Sequence, residues 1–529
     1  MKDYSTDGLV LRRPRHAVSV PIRLDHDLGG VMKNGRTVAL TAAMAGALIV
    51  PLAIGQPAAR ADELSDLRAN QQLLQQRVDQ LAQLAAAPGA KGAPVLAGSF
   101  PRSFLIPGTD TSMAISGFVR LNIDYFFQGA APGNGITGEG NNTIGENCVV
   151  LTTPLNVPAS CVSARCDVER REHARSGGNF HMNVRESRLR VETRTPTPFG
   201  PAGTVFEFDF AGGGKSGLLH VPDSLTPRLR LAYGTLGPWL VGQDYSLFND
   251  LAAHPTTLDF GGEVGPTGTV RPPQLRYTWK GYNGFVAAAD IEAPDTTLLT
   301  PLGGIDNTST ATLTGGINPT KNALPDVVGR LDWHQPWGHL SARGVMANDQ
   351  VNDGRFISRT FIGYGGAVSG DFKPGWFGWS RDDFTFGAGG GVGMLRYFNG
   401  SDTWDLSSNL VALPATPAAA ALVRISQNHG WEAHLGYEHW WGPHLRSNFS
   451  GGIQRKEMDS SLLAAGAPCI TSTSCWTANK ELITTHVNLV YSPVSFVNVG
   501  AEWVHGHRLT NAGLNGDLDM LIGQVTVKF

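Results

Sequence analysis

The chain has 529 residues, with 42 Lys and Arg against 45 Asp and Glu, a formal net charge of −3; that balance excludes a strongly basic nucleic-acid binder and an acidic disordered tail. Charged residues are only 16% of the total, below the ~25% of ordinary soluble domains, while Gly reaches 65 and Pro 32. With a mean hydropathy of −0.11 and no series of apolar 20-mers, the composition argues against a polytopic helical membrane protein and for an all-β chain with lipid on one face.

Residues 1–61 read as a leader. Thr37–Gly55 carries no charge, follows Lys33 and Arg36, and precedes Ala59-Arg60-Ala61. A charged start, an apolar stretch and a small-residue cleavage pattern make a secretory signal peptide. The alternative is a transmembrane anchor, against which Pro51 and the prompt cleavage pattern speak. Residues 1–31 are polar and patternless, so translation is expected to begin at Met32 and the mature chain at Asp62. Over 62–87, Leu64, Gln71, Val78 and Ala85 recur every seven residues, with Leu67, Leu74 and Leu81 three positions later. This is a coiled-coil seam, with an isolated amphipathic helix as the other reading. Pro88 and Gly89 end the helix, and 88–110 is a Pro/Gly/Ala linker.

From Thr111 to Phe529 the period changes to two. Ile115, Val119, Leu121, Ile123, Tyr125 and Phe127 share one face of the first strand; Ser116, Arg120, Asn122 and Asp124 share the other. The final stretch alternates likewise, with Val525, Val527 and Phe529 against Gln524, Thr526 and Lys528. A closing strand of this kind resembles the assembly signal of bacterial outer-membrane barrels. Seven short turns, near 196–201, 236–238, 281–283, 335–338, 374–375, 442–443 and 492–495, alternate with eight longer polar stretches. The latter lie around 128–178, 212–226, 248–272, 293–325, 348–355, 399–420, 457–480 and 506–517. Together they join sixteen antiparallel strands with short turns on one side and long loops on the other, the pattern of a transmembrane β-barrel. Trp333, Trp337, Tyr437, Trp440, Trp441 and Tyr491 cluster beside the short turns, as an aromatic girdle would. Cys148, Cys161 and Cys166 lie in one polar stretch and Cys469 and Cys475 in another, without the paired spacing of a zinc site. Loop disulfides are the expectation in an oxidising compartment, Cys469–Cys475 foremost, with the remaining pairing open.

Several segments carry a family likeness. They include the heptad stretch, Phe104–Thr111, Asn183–Leu189, Ala232–Gly237, Thr257–Phe260, Arg271–Tyr277, Pro325–Leu331, Leu445–Ser447 and Tyr491–Pro493, in order and at similar spacing. On these the chain resembles the DcaP-like family of outer-membrane porins. The resemblance implies a trimeric sixteen-stranded porin with an N-terminal periplasmic coiled coil, surrounded by outer-membrane lipid. The implied solutes are small anions, dicarboxylates and aromatic carboxylates above all. No cofactor, metal or nucleic acid is implied.

A passive channel needs a wet lumen, a constriction and a field that favours one sign of charge. Alternation places Arg120, Arg188, Arg190, Arg194, Arg228, Arg230, Arg276 and Arg330 on non-lipid faces. Arg suits this role because its planar fork binds carboxylates in a bidentate way and keeps its charge. Glu192, Glu207, Asp209, Asp124 and Asp332 share the inward parity and would neutralise part of that wall. Arg185 has the wrong parity unless a bulge intervenes. The loop 248–272 carries Asp250, His254, Asp259 and Glu263. It either folds into the lumen to narrow it, with those acids facing the arginines, or packs outside at a trimer contact. Asp244 is an acid where the family more often has a neutral residue, which would weaken an anion preference. Two rival functions remain. One is an outer-membrane barrel enzyme, for which His505 and His507 are the best candidates; the other is a structural or adhesive barrel without transport.

Overall fold

The computed structural model describes residues 96–128, 178–215, 225–265, 270–306, 313, 318–375, 380–399, 403–463, 478–511 and 515–529, together with Gln75 and Gln76. The leader, all five cysteines and the heptad segment apart from Gln75 and Gln76 lie outside the described residues.

Sixteen antiparallel strands close into one barrel. They are β1 (Ser112–Gln128), β2 (Asn179–Asn183, continued by Arg188–Thr195), β3 (Ala202–Lys215), β4 (Leu225–Leu236), β5 (Trp239–Gln243) and β6 (Pro273–Lys280). There follow β7 (Phe285–Glu292), β8 (Asp326–Gln335), β9 (Gly338–Asn352), β10 (Ser358–Phe372) and β11 (Asp383–Val392). The last five are β12 (His429–Trp440), β13 (Leu445–Glu457), β14 (Asn479–Val494), β15 (Val497–Thr510) and β16 (Asn515–Lys528). Each strand pairs with its sequence neighbour, and β16 returns to β1 with Val119 opposite Val527 and Leu121 opposite Val525. Phe529 and Gly117 then exchange backbone hydrogen bonds at 3.0 and 3.2 Å. Closure satisfies every edge, which a membrane-spanning sheet requires. The order of turns and loops is the expected one, but the connections at 353–357 and 511–514 are shorter than the polar stretches around 348–355 and 506–517, most of 506–517 being strand, and the turn near 374–375 extends over 373–382.

The pleat reads inside out. Ile115, Val119, Tyr125 and Phe127 of β1 are exposed, whereas Asn122 and Asp124 are buried. On β14, Val487, Leu489 and Tyr491 are exposed, and His486 and Asn488 are buried. Apolar residues would not line an aqueous outer surface in such rows; they fit a hydrocarbon solvent. Trp333, Trp441 and Tyr491 stand exposed near the short turns, joined by Trp239, Tyr277 and Trp279. Trp440 departs from the girdle expectation. It has the inward parity of Glu432 and His434, and its ring carries the Arg381 guanidinium at 3.4 Å.

The linker also differs from a plain spacer. Residues 96–105 form a hairpin whose second arm, Phe104–Leu105, pairs with Ser112–Met113 at the start of β1. At the opposite end, Thr297–Thr300, Gly303–Asp306, Leu406–Ser408 and Ile425–Gln427 form a separate four-stranded sheet. It encloses Leu298, Ile305, Leu406, Leu410 and Val423. Beside it Arg396 is gripped by Asp326 at 2.6 Å, Asp349 at 2.9 Å and Asp405, tying this sheet to β8 and β9.

Candidate functional site

The loop that follows β5 runs inside the barrel, not outside at a subunit contact. Its entry is apolar: Leu247 and Phe248 pack with Val328, Val345, Ala347 and Ala367. Asp250 then receives hydrogen bonds from Arg330 at 3.0 Å and His339 at 2.9 Å, and lies 3.3 Å from Arg343. Ser369 donates to the same carboxylate at 2.5 Å. Burial by itself would raise its pKa, but these donors and the Arg330 charge hold the Asp250 carboxyl below the ordinary carboxylate range. The chain crosses the lumen to the far wall. There Glu502 of β15 accepts the backbone N–H groups of Leu258 at 2.6 Å and Asp259 at 3.1 Å. Gln524 donates to the Leu258 carbonyl at 3.0 Å, Asn488 to that of Thr256 at 2.8 Å, and His434 to that of Ala253 at 3.0 Å. Val264 N–H donates to Thr484 at 3.1 Å. Leu258 and Val264 complete an apolar patch with Leu482, Val504, Met520 and Ile522 on the inner faces of β14–β16. A backbone can lie in the lumen only because inward side chains satisfy it.

Arginines gather on the inner face of β2 and β4. On β4, Arg228 meets Asp209 in a fork at 3.0 and 2.7 Å. Arg230 donates to Glu207 and Asp209, each at 2.9 Å, and to the Tyr245 hydroxyl at 2.8 Å. On β2, Arg188 lies 3.4 Å from Glu207, and Arg190 lies 3.5 Å from Glu207 and 3.2 Å from Glu192. Arg194 takes the other side of Glu192 at 2.7 Å. Five guanidinium groups therefore share three carboxylates. Phe260, on the crossing loop, presents its ring to Arg228 at 5.5 Å and Arg230 at 6.0 Å. Arg271 faces the Tyr245 ring at 5.4 Å.

The comparisons agree with this geometry. A family model described as "Porin subfamily" matches residues 102–354. The porin Omp2a of Brucella ovis is 26% identical over 51% of this chain and 68% of its own length. Omp2b of Brucella canis is 31% identical over 31% of this chain, and the match spans less than half, 42%, of that relative. The crystal structure of the outer-membrane channel DcaP of Acinetobacter baumannii superposes with a TM-score of 0.58 at 22% identity. That superposition covers 82% of this chain and all of that one. The chain has the fold of the DcaP outer-membrane channel, and over residues 102–354 it is similar to the porin subfamily.

Not every expected site residue lies in one place. Arg188, Arg190, Arg228 and Arg230 come together. Arg194 sits toward the short-turn end, half exposed, with its guanidinium 4.4 Å from the Phe100 ring. Arg120 pairs with Glu186 at 2.9 Å near the β1–β16 seam. Arg276 stands 3.4 Å from both Asp244 and Asp290. Asp244 thus does sit in the lumen, and burial pushes its carboxyl up. Arg330 is bound by Asp332 and Asp250. Asp250 does not look across a gap at the arginines; it touches Arg330 and anchors the loop. Asp259 and Glu263 are buried against the far wall. Arg185 does point inward, because β2 breaks at Val184–Ser187 and shifts the parity. His505 and His507 pair with Asp519 at 2.9 Å and Asp517 at 2.6 Å on the long-loop end. The sequence reading missed Arg343, Tyr245, Phe260 and Arg271. Arg343 was legible, since it alternates with Ala342 and Gly344; the others act from a loop whose path no periodicity reveals.

Proposed function

We propose that the chain is an outer-membrane porin that passes small hydrophilic solutes by diffusion and prefers anions, dicarboxylates and aromatic carboxylates among them. The observation that supports it is the sharing of three carboxylates by Arg188, Arg190, Arg194, Arg228 and Arg230. Five guanidinium groups against three carboxylates leave two positive charges over along this wall, with Arg194 toward its short-turn end, inside a low-dielectric barrel where a field is stronger than in bulk water. Guanidinium groups already held by Asp209 and Glu207, Arg228 in a fork, keep their planes oriented, so a passing carboxylate meets a prepared surface. The ring of Phe260 gives the same surface an apolar side suited to an aromatic solute.

The chain has no need of catalysis for this role. In the homotrimer that the family likeness implies, the heptad segment would stand in the periplasm; the mass of the detergent-extracted particle checks it. Selectivity is read from the reversal potential in a salt gradient, where a clear cation preference would refute the proposal. Replacing Arg188 and Arg276 together with Gln should lower dicarboxylate flux several-fold, roughly the loss of one charge-assisted contact, while the barrel still assembles. Unchanged flux would remove both from the solute path.

A further inference from the structure

The outer face of the barrel turns from apolar to polar within a single strand. Along β15 the outward register runs through Val499, Ala501 and Trp503 to His505 and His507, while Val504 and Gly506 between them are buried. On β16 the outward register passes from exposed Leu521 to Asp519 and Asp517. Strand pairing sets His505 opposite Asp519 and His507 opposite Asp517. His505-Gly506-His507 therefore presents two imidazoles on one face, their Cα atoms about 7 Å apart by two strand rises, each with a carboxylate beside it.

The contacts are specific. His505 Nδ1 donates to Asp519 at 2.9 Å and His507 Nδ1 to Asp517 at 2.6 Å. The second oxygen of Asp519 accepts from Gln128 at 2.9 Å. The Trp503 ring stacks against His505 with centroids 5.9 Å apart and planes inclined by 21°. A carboxylate only accepts, so in each neutral ring the proton sits on Nδ1 and the lone pair on Nε2, at the opposite edge of the ring. Among the described residues neither Nε2 has a hydrogen-bond partner.

Exposed ion pairs add little to the stability of a strand pair, so pairing strength alone gives no reason for four such residues here. Their arrangement does match how protein imidazoles bind metal: one nitrogen on the ion, the other held by a carboxylate that fixes the tautomer and raises the basicity of the ring. Two such imidazoles on one strand face make a chelate. Imidazole nitrogen selects zinc, copper and nickel over the oxygen-seeking magnesium and calcium. No group of three or more His, Cys, Asp or Glu among the described residues converges on a metal position, so the protein supplies two ligands and water the others.

We infer that His505 and His507 chelate one divalent transition-metal ion through their Nε2 atoms, on the outer face of the barrel at its long-loop end, with Asp519 and Asp517 as positioning residues. The site goes beyond the channel reading and does not rest on it.

Zinc chloride is the probe, titrated calorimetrically into the detergent-solubilised full chain prepared without a polyhistidine tag. One zinc ion per chain should bind, and H505Q/H507Q should abolish that event. D517N/D519N keeps both imidazoles and should weaken it about ten- to hundredfold, the usual loss when the carboxylates behind metal-bound histidines are removed. Copper in place of zinc should show two nitrogen ligands by electron paramagnetic resonance in the wild type and lose them in H505Q/H507Q. Excess calcium should leave the zinc titration unmoved. Zinc binding that is absent from the wild type, unchanged in H505Q/H507Q or displaced by calcium overturns the site, and a D517N/D519N titration like that of the wild type overturns the role of the acids. Should the double histidine variant fail to assemble, H507Q alone, a change at one partly exposed side chain, decides by a loss of about tenfold or none. None of these readouts uses conduction, so their failure leaves the channel reading standing, and a barrel that does not conduct leaves them valid.

Discussion

Glu263 is wholly buried where the crossing loop meets the far wall, and among the described residues neither carboxylate oxygen finds a hydrogen-bond donor. Burial pushes its carboxyl up to about 8; His486 opposes the shift and Glu502 adds to it. The folded loop therefore holds a proton that an unfolded chain releases near 4.5. Between that value and about 8 the seat of the loop weakens as pH rises, and above about 8 the loss is complete. Open-channel noise should accordingly grow between neutral pH and about pH 9, and Glu263→Gln, neutral throughout, should abolish the change. Equal pH dependence in both proteins would exclude Glu263 as its origin. Asp250 has the opposite sign. Its lowered pKa leaves the anchor to Arg330 and His339 intact through the neutral range, and the bond is lost only in strong acid.

As an element, the loop after β5 is positioned by wall residues more than by its own conformational preference. The fit is close: a Cβ on Gly452 of β13 would lie 1.7 Å from the Val264 carbonyl oxygen and 3.2 Å from that of Ala433. Backbone cannot yield as the tip of a long side chain can, so Gly452→Ala must push the loop from the wall. The expected result is a barrel that still resists unfolding on gels but shows altered conductance and more frequent substates in single-channel records. Conductance identical to wild type would mean that the loop does not set the narrowest section. The hairpin at 96–105 is the corresponding element of the short-turn end, tied to β1 by Phe104 and Leu105.

At the scale of the molecule, an apolar outer face and a polar inner one are held together by continuous pairing from β1 to β16. Phe449 stands exposed at the middle of β13, between buried Asn448 and Ser450. Replacing it with Arg should cost about 2–4 kcal/mol, the price of a cation at the hydrocarbon midplane. The loss should appear as a lower heat-unfolding temperature on gels in lipid or mild detergent. No change would argue that this face meets something other than lipid.

Strand count, turn order and the lipid-facing register were legible in the sequence because each is a local property: side chains alternate at every residue, and turns are marked by Pro and Gly. The same alternation located Arg188, Arg228, Arg230 and Arg276 on the inner face, but it could not say which carboxylate each would meet. Those partners stand on neighbouring strands at distances set by register and bulges, as the break at Val184–Ser187 shows for Arg185. Only the tertiary structure decided that the loop after β5 crosses the lumen and that Asp250 anchors it. An irregular segment carries no period of its own, so its path is determined by the side chains of distant strands that satisfy its backbone.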